Sequence, residues 1–141
     1  MEERNWGEFW KHREDLSIPP NTFHQKQKTD FLYKHSLNFK CGKVLENGCF
    51  PGKWLVWFNK TLDMQIHGVD LFMAKETTET LKKFGVHSTI KKGDALKNPF
   101  PPHFFDVVYS FGLIEHFDDL AAIIQEHVRV VKKGGVLILS W

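Results

Sequence analysis

The chain is poor in cysteine: only Cys41 and Cys49 occur among 141 residues. If residues 44–47 form a strand, the two thiols lie at its opposite ends, roughly 25 Å apart at about 3.3 Å per residue. A disulfide needs Cα atoms within about 7 Å. Two free thiols in a reducing, cytoplasmic compartment are therefore expected. Long apolar runs are missing too, and none approaches the roughly 20 residues of a membrane span. Residues 1–15 are charged and aromatic, without the apolar centre of a secretory signal. Neither sign of charge is blocked: 19 Lys and Arg against 17 Asp and Glu leave a net charge of +2, with no basic stripe that would announce nucleic acid. Eight histidines are present, yet none forms a His-x-x-x-His or Cys-x-x-Cys pair of zinc type, so no metal site is expected.

What is present suits one domain with one core, at 42% hydrophobic and 26% charged residues. Residues 1–40 read as a helical lead-in. Trp6, Phe9, Trp10 and Arg13 fall at helical spacing, and Pro19-Pro20-Asn21 breaks the chain. Thr22 then caps a second helix with Phe23, Gln27, Phe31 and Leu32 on or near one face.

From residue 41 onward strand and helix patterns alternate. Strands are expected at 44–47, 66–70, 87–91, 105–110 and 136–141. Helices are expected at 51–62, with Pro51 in the first turn, and at 73–84, closed by Gly85. A third helix starts at an Asp118 cap, runs to about Lys132 with Leu120, Ile123, Ile124, Val128 and Val131 inward, and ends at Gly134-Gly135. Trp54 and Trp57 are expected in the core. Strands spaced by such helices imply βαβ units and an open parallel sheet of about five strands with flanking helices. The final segment is apolar and β-prone. It calls for cover by a partner chain or by a further segment of a longer chain.

Four groups then fall at the carboxyl ends of successive strands, where open α/β sheets bind ligands. Glu46 and the Gly48–Gly52 loop follow the first strand, and Asp70 with Leu71 ends the second. Gly93-Asp94-Ala95 follows the third, and Ser110-Phe111 through His116 follows the fourth. Small residues allow close backbone approach. Asp70 is placed to accept both hydroxyls of a ribose, Asp94 an adenine amine, and Glu46 to hold a cationic amino group.

In this order and spacing, residues 43–141 resemble the class I S-adenosylmethionine-dependent methyltransferases. Glu46-Asn-Gly-Cys-Phe-Pro-Gly52 resembles their first motif, and Asp70 their ribose-binding acid. Gly93-Asp94-Ala95 resembles the adenine-side motif. Phe105-Asp-Val-Val-Tyr-Ser110 with Leu113-Ile-Glu-His116 resembles the fourth-strand motif. The resemblance implies a Rossmann-like domain over 41–141, lacking the family's last two strands. It also implies S-adenosylmethionine as cofactor and a small-molecule methyl acceptor. Cofactor contacts carry over to Glu46, Gly48, Cys49, Phe50, Gly52, Asp70, Leu71, Asp94, Ala95, Ser110 and Phe111, and His116 becomes the candidate catalytic side chain. Phe50 departs from the pattern, which has a small residue there: its ring either crowds the methionyl end of the cofactor or turns aside to line the pocket. Two other readings compete. One is a non-catalytic module of the same fold. The other is a nicotinamide-dependent oxidoreductase, against which Phe50 and Pro51 count, because they add bulk and remove a donor where a pyrophosphate would sit.

Overall fold

The computed structural model describes residues 23–141, so the expected helix around Trp6–Arg13, the proline break and the Thr22 cap lie outside the described residues. The chain opens with α1 (Phe23–Ser36) and a short 3₁₀ turn, Leu37–Phe39. Then follow β1 (Lys43–Asn47), α2 (Lys53–Leu62), β2 (Gln65–Asp70), α3 (Ala74–Lys83) and β3 (Ser88–Lys92). After a turn at Ala95–Lys97 come β4 (Phe105–Phe111), a turn at Ile114–His116, α4 (Leu120–Val130) and β5 (Val131–Ser140). All pairings are parallel, in the order β3-β2-β1-β4-β5. The first three strands build outward in one direction from β1 and the last two in the other. Between β1 and β4 lies the switch point at which such sheets hold ligands.

β1 is buried from Val44 through Asn47, as a central parallel strand covered on both faces must be. Over one face, Leu32 of α1, Leu55, Phe58 and Leu62 of α2 and Leu81 of α3 pack on Val44, Ile66, Val107 and Tyr109. Under the other face, Val130 of α4 joins Leu45, Val69, Phe100, Phe105 and Val108. Ile123 of α4 closes a smaller cluster with Ala95 and Ile114. The connection from β3 to β4 is pinned to α4 by charge: Arg129 donates to the carbonyls of Asn98 and Phe100 at 2.9 and 3.0 Å, while Glu126 accepts the Asn98 N–H at 2.9 Å. Hydrogen bonds from Arg129 hold the Glu126 carboxyl below its usual range.

Several boundaries differ from the pattern reading, each for a local reason. Asp119, not Asp118, caps α4 by accepting the Ala122 N–H at 2.9 Å. The inward face of α4 is Ile123, His127 and Val130, which leaves Leu120 and Val128 half exposed. The helix stops at Val130. Gly134-Gly135 lies within β5, beside an irregularity where Phe105 pairs with Val131 and Val107 with Val136, so the glycines serve a bulge rather than a helix end. Pro51 lies outside α2, whose N-cap is Gly52 at φ +97°. In α1 the buried side chains are Thr29, Leu32 and Ser36, while Phe31 and Gln27 point to solvent. The α3 terminus behaves as expected. Gly85 at φ +70° donates to Lys82 O at 3.0 Å and Val86 to Leu81 O at 2.9 Å, a Schellman ending. Trp57 is in the core, and both cysteines are free, Cys41 exposed and Cys49 buried.

β2 approaches the loop after β1 closely because Gly68 has no side chain. A Cβ there would stand 2.7 Å from Cys49 Sγ and 2.9 Å from Ile90 Cδ1. Gly68→Ala is expected to lower the unfolding free energy by about 1–3 kcal/mol, the usual cost of overpacking, as measured by urea denaturation. An unchanged midpoint would show that this contact yields freely.

Candidate functional site

The loop from β1 to α2 is fastened to the end of β2. The N–H groups of Gly48 and Cys49 both donate to Val69 O, at 2.8 and 3.3 Å. The next N–H, of Phe50, donates to Asp70 Oδ2 at 3.2 Å. Asp70 Oδ1 accepts from Phe72 and Met73 at 3.0 and 2.8 Å, which caps the approach to α3. The Asp70 main-chain oxygen accepts the Gly93 N–H at 3.1 Å. One residue thus ties together the loops after β1, β2 and β3. A carboxylate has about four acceptor positions. The protein uses three, and the remaining one lies on Oδ2.

Glu46, in β1, is buried, and Tyr109 O–H donates to its Oε2 at 2.8 Å. Burial pushes the Glu46 carboxyl well above its usual range. The Tyr109 hydrogen bond and the Lys28 ammonium act in the opposite direction, and Asp70 adds to the upward shift. Burial also drives the Tyr109 phenol upward. Asp94 caps the Ala95–Lys97 turn through Oδ1, which accepts the Leu96 N–H at 2.9 Å. At the start of α2, Gly52 supplies no side-chain cap, so the first helical N–H groups rely on solvent or a ligand.

These groups share one cavity of about 550 Å³, within the range of small-molecule sites. Of the residues singled out in the sequence, Glu46, Gly48, Phe50, Gly52, Asp70, Leu71, Asp94, Ala95, Phe111 and His116 line it. Cys49 and Ser110 do not: both are fully buried beside it, Ser110 among the tightly packed residues of β4. Phe50 is half buried and belongs to the wall. His116 is half buried, in the turn that follows β4. Trp54, expected in the core, packs against it from a partly buried position and also joins the lining, edge-on to Phe111 at 5.7 Å between centroids. Lys53, Phe72, Met73, Leu113 and Phe117 complete much of the remaining wall. Trp54 and Lys53 occupy the first turn of a helix whose N-terminus faces the ligand rim, a position that could have marked them. Nothing local marks Lys28 of α1, whose ammonium lies 4.2 Å from the Phe111 ring centre and 5.2 Å from that of Trp54. Among the described residues, no group of three or more His, Cys, Asp or Glu is placed to hold a metal, and no helix is long and apolar enough to cross a membrane.

Residues 45–139 match a family model described as a methyltransferase domain. An uncharacterized methyltransferase of Schizosaccharomyces pombe is 34% identical over 106 residues, covering 68% of this chain and 38% of that protein. Ajmaline N-methyltransferase of Rauvolfia serpentina is 32% identical over 100 residues, covering 68% of this chain and 34% of that protein. Among solved structures, the PH0226 protein of Pyrococcus horikoshii aligns with a TM-score of 0.72 at 25% identity, covering 94% of this chain and 64% of that one. The chain belongs to the class I S-adenosylmethionine-dependent methyltransferases. It spans well under half the length of the two curated relatives.

The environment of Glu46 makes stability depend on pH in a defined direction. Its folded pKa is raised, so above the ordinary carboxyl value of ~4.3 the unfolded chain loses this proton while the folded one keeps it. Folding therefore weakens as pH rises from there toward the folded value. Glu46→Gln is expected to make the unliganded protein more resistant to urea at pH 7 than the parent, with the gap shrinking toward pH 4. A gap that widens on acidification would mean that Glu46 is buried as a stabilised anion.

Proposed function

We propose that this protein transfers the methyl group of S-adenosylmethionine to a small-molecule acceptor. The observation that carries this reading is the convergence on one cavity of Asp70 with an unused acceptor position, Asp94, buried Glu46 and the uncapped start of α2. The residues fit the cofactor. Asp70 Oδ2 has room for a ribose hydroxyl, and Asp94 has a second carboxylate oxygen for an adenine amine. Glu46 offers a buried carboxyl to the methionyl ammonium.

Bound there, the cofactor supplies a methyl carbon made electrophilic by its sulfonium. The remaining work falls to the chain: to hold an acceptor in line with that carbon and to keep water out. Phe50, Trp54, Phe111 and Phe117 supply apolar walls for this, and His116 stands in the lining where it could orient an acceptor or take its proton. No buried triad is required, because a base is needed only for acceptors that must lose a proton. Bulk at Phe50 and the donor missing at Pro51 count against a dinucleotide pyrophosphate. The two unpaired thiols suit the cytoplasm.

Titration calorimetry with S-adenosylmethionine, S-adenosylhomocysteine and NAD tests the reading. Both adenosyl ligands are expected to bind and NAD is not. Asp70→Ala and Asp94→Ala should each weaken S-adenosylhomocysteine by about tenfold or more, the scale of one hydrogen bond to a charged group. Folded protein that ignores both adenosyl ligands would remove the enzymatic reading in favour of a non-catalytic module.

A further inference from the structure

Positive charge gathers on the side of the cavity where Lys53 and Trp54 of its lining meet Phe111, with Lys28, itself outside the lining, packed against the same two rings. Lys53 Nζ lies 5.4 Å from the centre of the Trp54 ring, and Lys28 Nζ lies 5.2 Å from the same ring and 4.2 Å from Phe111. Both lysines are half buried. Neither takes part in an ion pair among the described residues, where the pairs are Lys26–Asp30, Glu126–Arg129 and Asp106–Lys132. Lys53 also opens α2, the end at which the helix dipole disfavours a cation. Burial lowers the Lys28 pKa and the Lys53 charge adds to the effect, while Glu46 partly opposes it. In the unliganded protein Glu46 does little to neutralise the pair, since burial favours its uncharged form, and with the cofactor bound its carboxylate is matched by the methionyl ammonium. Three unfavourable placements therefore coincide: like charges close together, partial desolvation and the wrong end of a helix. Cation–π contact with Trp54 and Phe111 offsets only part of this cost.

The rings beside these charges make a right-angled recess. Trp54 and Phe111 meet at 81°, so a flat molecule lying along one ring abuts the other. Because two ammonium groups already attend these rings, a cationic amine is repelled from the recess. We propose that this corner is the acceptor subsite, and that it selects a planar acceptor bearing an anionic group, a carboxylate or phenolate, which Lys53 and Lys28 hold by charge while Trp54 and Phe111 hold its plane. The inference rests on the methyltransferase reading and specifies its acceptor class.

The test uses the whole protein saturated with S-adenosylhomocysteine. 4-Hydroxybenzoate is titrated into it, with benzyl alcohol and benzylamine as uncharged and cationic probes of similar size. Saturation-transfer NMR and calorimetry read the binding. The benzoate is expected to bind more tightly than benzyl alcohol, and benzylamine least. Lys53→Gln and Lys28→Gln should each weaken the benzoate by about fivefold or more, with Lys28→Arg restoring most of the loss. S-adenosylhomocysteine affinity should stay within about twofold in all three variants, and circular dichroism confirms that each is folded. Equal binding of the three probes overturns the inference. So does a loss confined to S-adenosylhomocysteine, which would assign the lysines to the carboxylate of the cofactor itself. If S-adenosylhomocysteine binds the parent protein and the benzoate does not, the acceptor assignment falls alone. If S-adenosylhomocysteine does not bind, the functional reading falls first.

Discussion

Asp70 ends β2 with a carboxylate that accepts N–H groups from Phe50 on one side and from Phe72 and Met73 on the other, while its carbonyl accepts from Gly93. Backbone donors to a charged acceptor contribute about 1.5–3 kcal/mol each, so the three together exceed the entropy of fixing one or two loop residues, about 1–2 kcal/mol apiece. The upper rim of the sheet is therefore held as a unit rather than as three loops that move separately. Val69 reinforces the same join, because its carbonyl receives both Gly48 and Cys49. The main-chain position of Phe50, and with it one wall of the cavity, is tied to these bonds.

The second acid of the site obeys a different balance. Asp70 is half exposed and surrounded by amide donors, whereas Glu46 lies among buried residues with a phenol as its nearest donor. Stripping water from a carboxylate costs several kcal/mol, more than one Tyr109 hydrogen bond and a half-buried ammonium return. The uncharged form of Glu46 is favoured while the protein is alone. A cationic group brought against it would reverse that preference, since the opposite charge would then lie within the same low-dielectric space. The state of Glu46 is thus set by its burial.

Most of the sheet was legible from sequence because it rests on local signals. Alternating apolar runs marked all five strands, and Gly85 marked the end of α3. What could not be read were features fixed by tertiary docking. Asp118 and Asp119 are equally good cap residues by type, and docking of α4 onto Val108 and Phe105 through Val130, which the local sequence does not reveal, leaves Leu120 and Val128 outside. Gly134-Gly135 carries the same residues a helix end would, and only the pairing of β4 with β5 reveals the bulge. In the site, the strand-end groups lie in the lining where their spacing suggested, apart from Cys49 and Ser110, whose side chains turn into the core. The place of Trp54 in the lining, beside its packing on the core, was not legible because helical periodicity says nothing about what lies beyond a helix N-terminus. Lys28 was invisible because its neighbours stand more than twenty residues away along the chain.

The site divides into a part built by the main chain and a part built by side chains. The region of Asp70, Gly93 and Asp94 is shaped by strand ends and short turns, and substitutions there disturb the hydrogen bonds that connect the loops. The region of Lys53, Trp54, Phe111 and Phe117 is lined by side chains from α2, the end of β4 and the segment after it, with Lys28 of α1 packed against Trp54 and Phe111. Little backbone geometry depends on their identity. A fold can then keep one rim while its opposite corner is rewritten for different chemistry, which is why fold alone does not name a reaction. A relative acting on ajmaline, matched over 68% of this chain at 32% identity, need not have the same corner. If that corner receives the acceptor, as proposed above, its two lysines disfavour the cationic amines that an aromatic recess would otherwise attract.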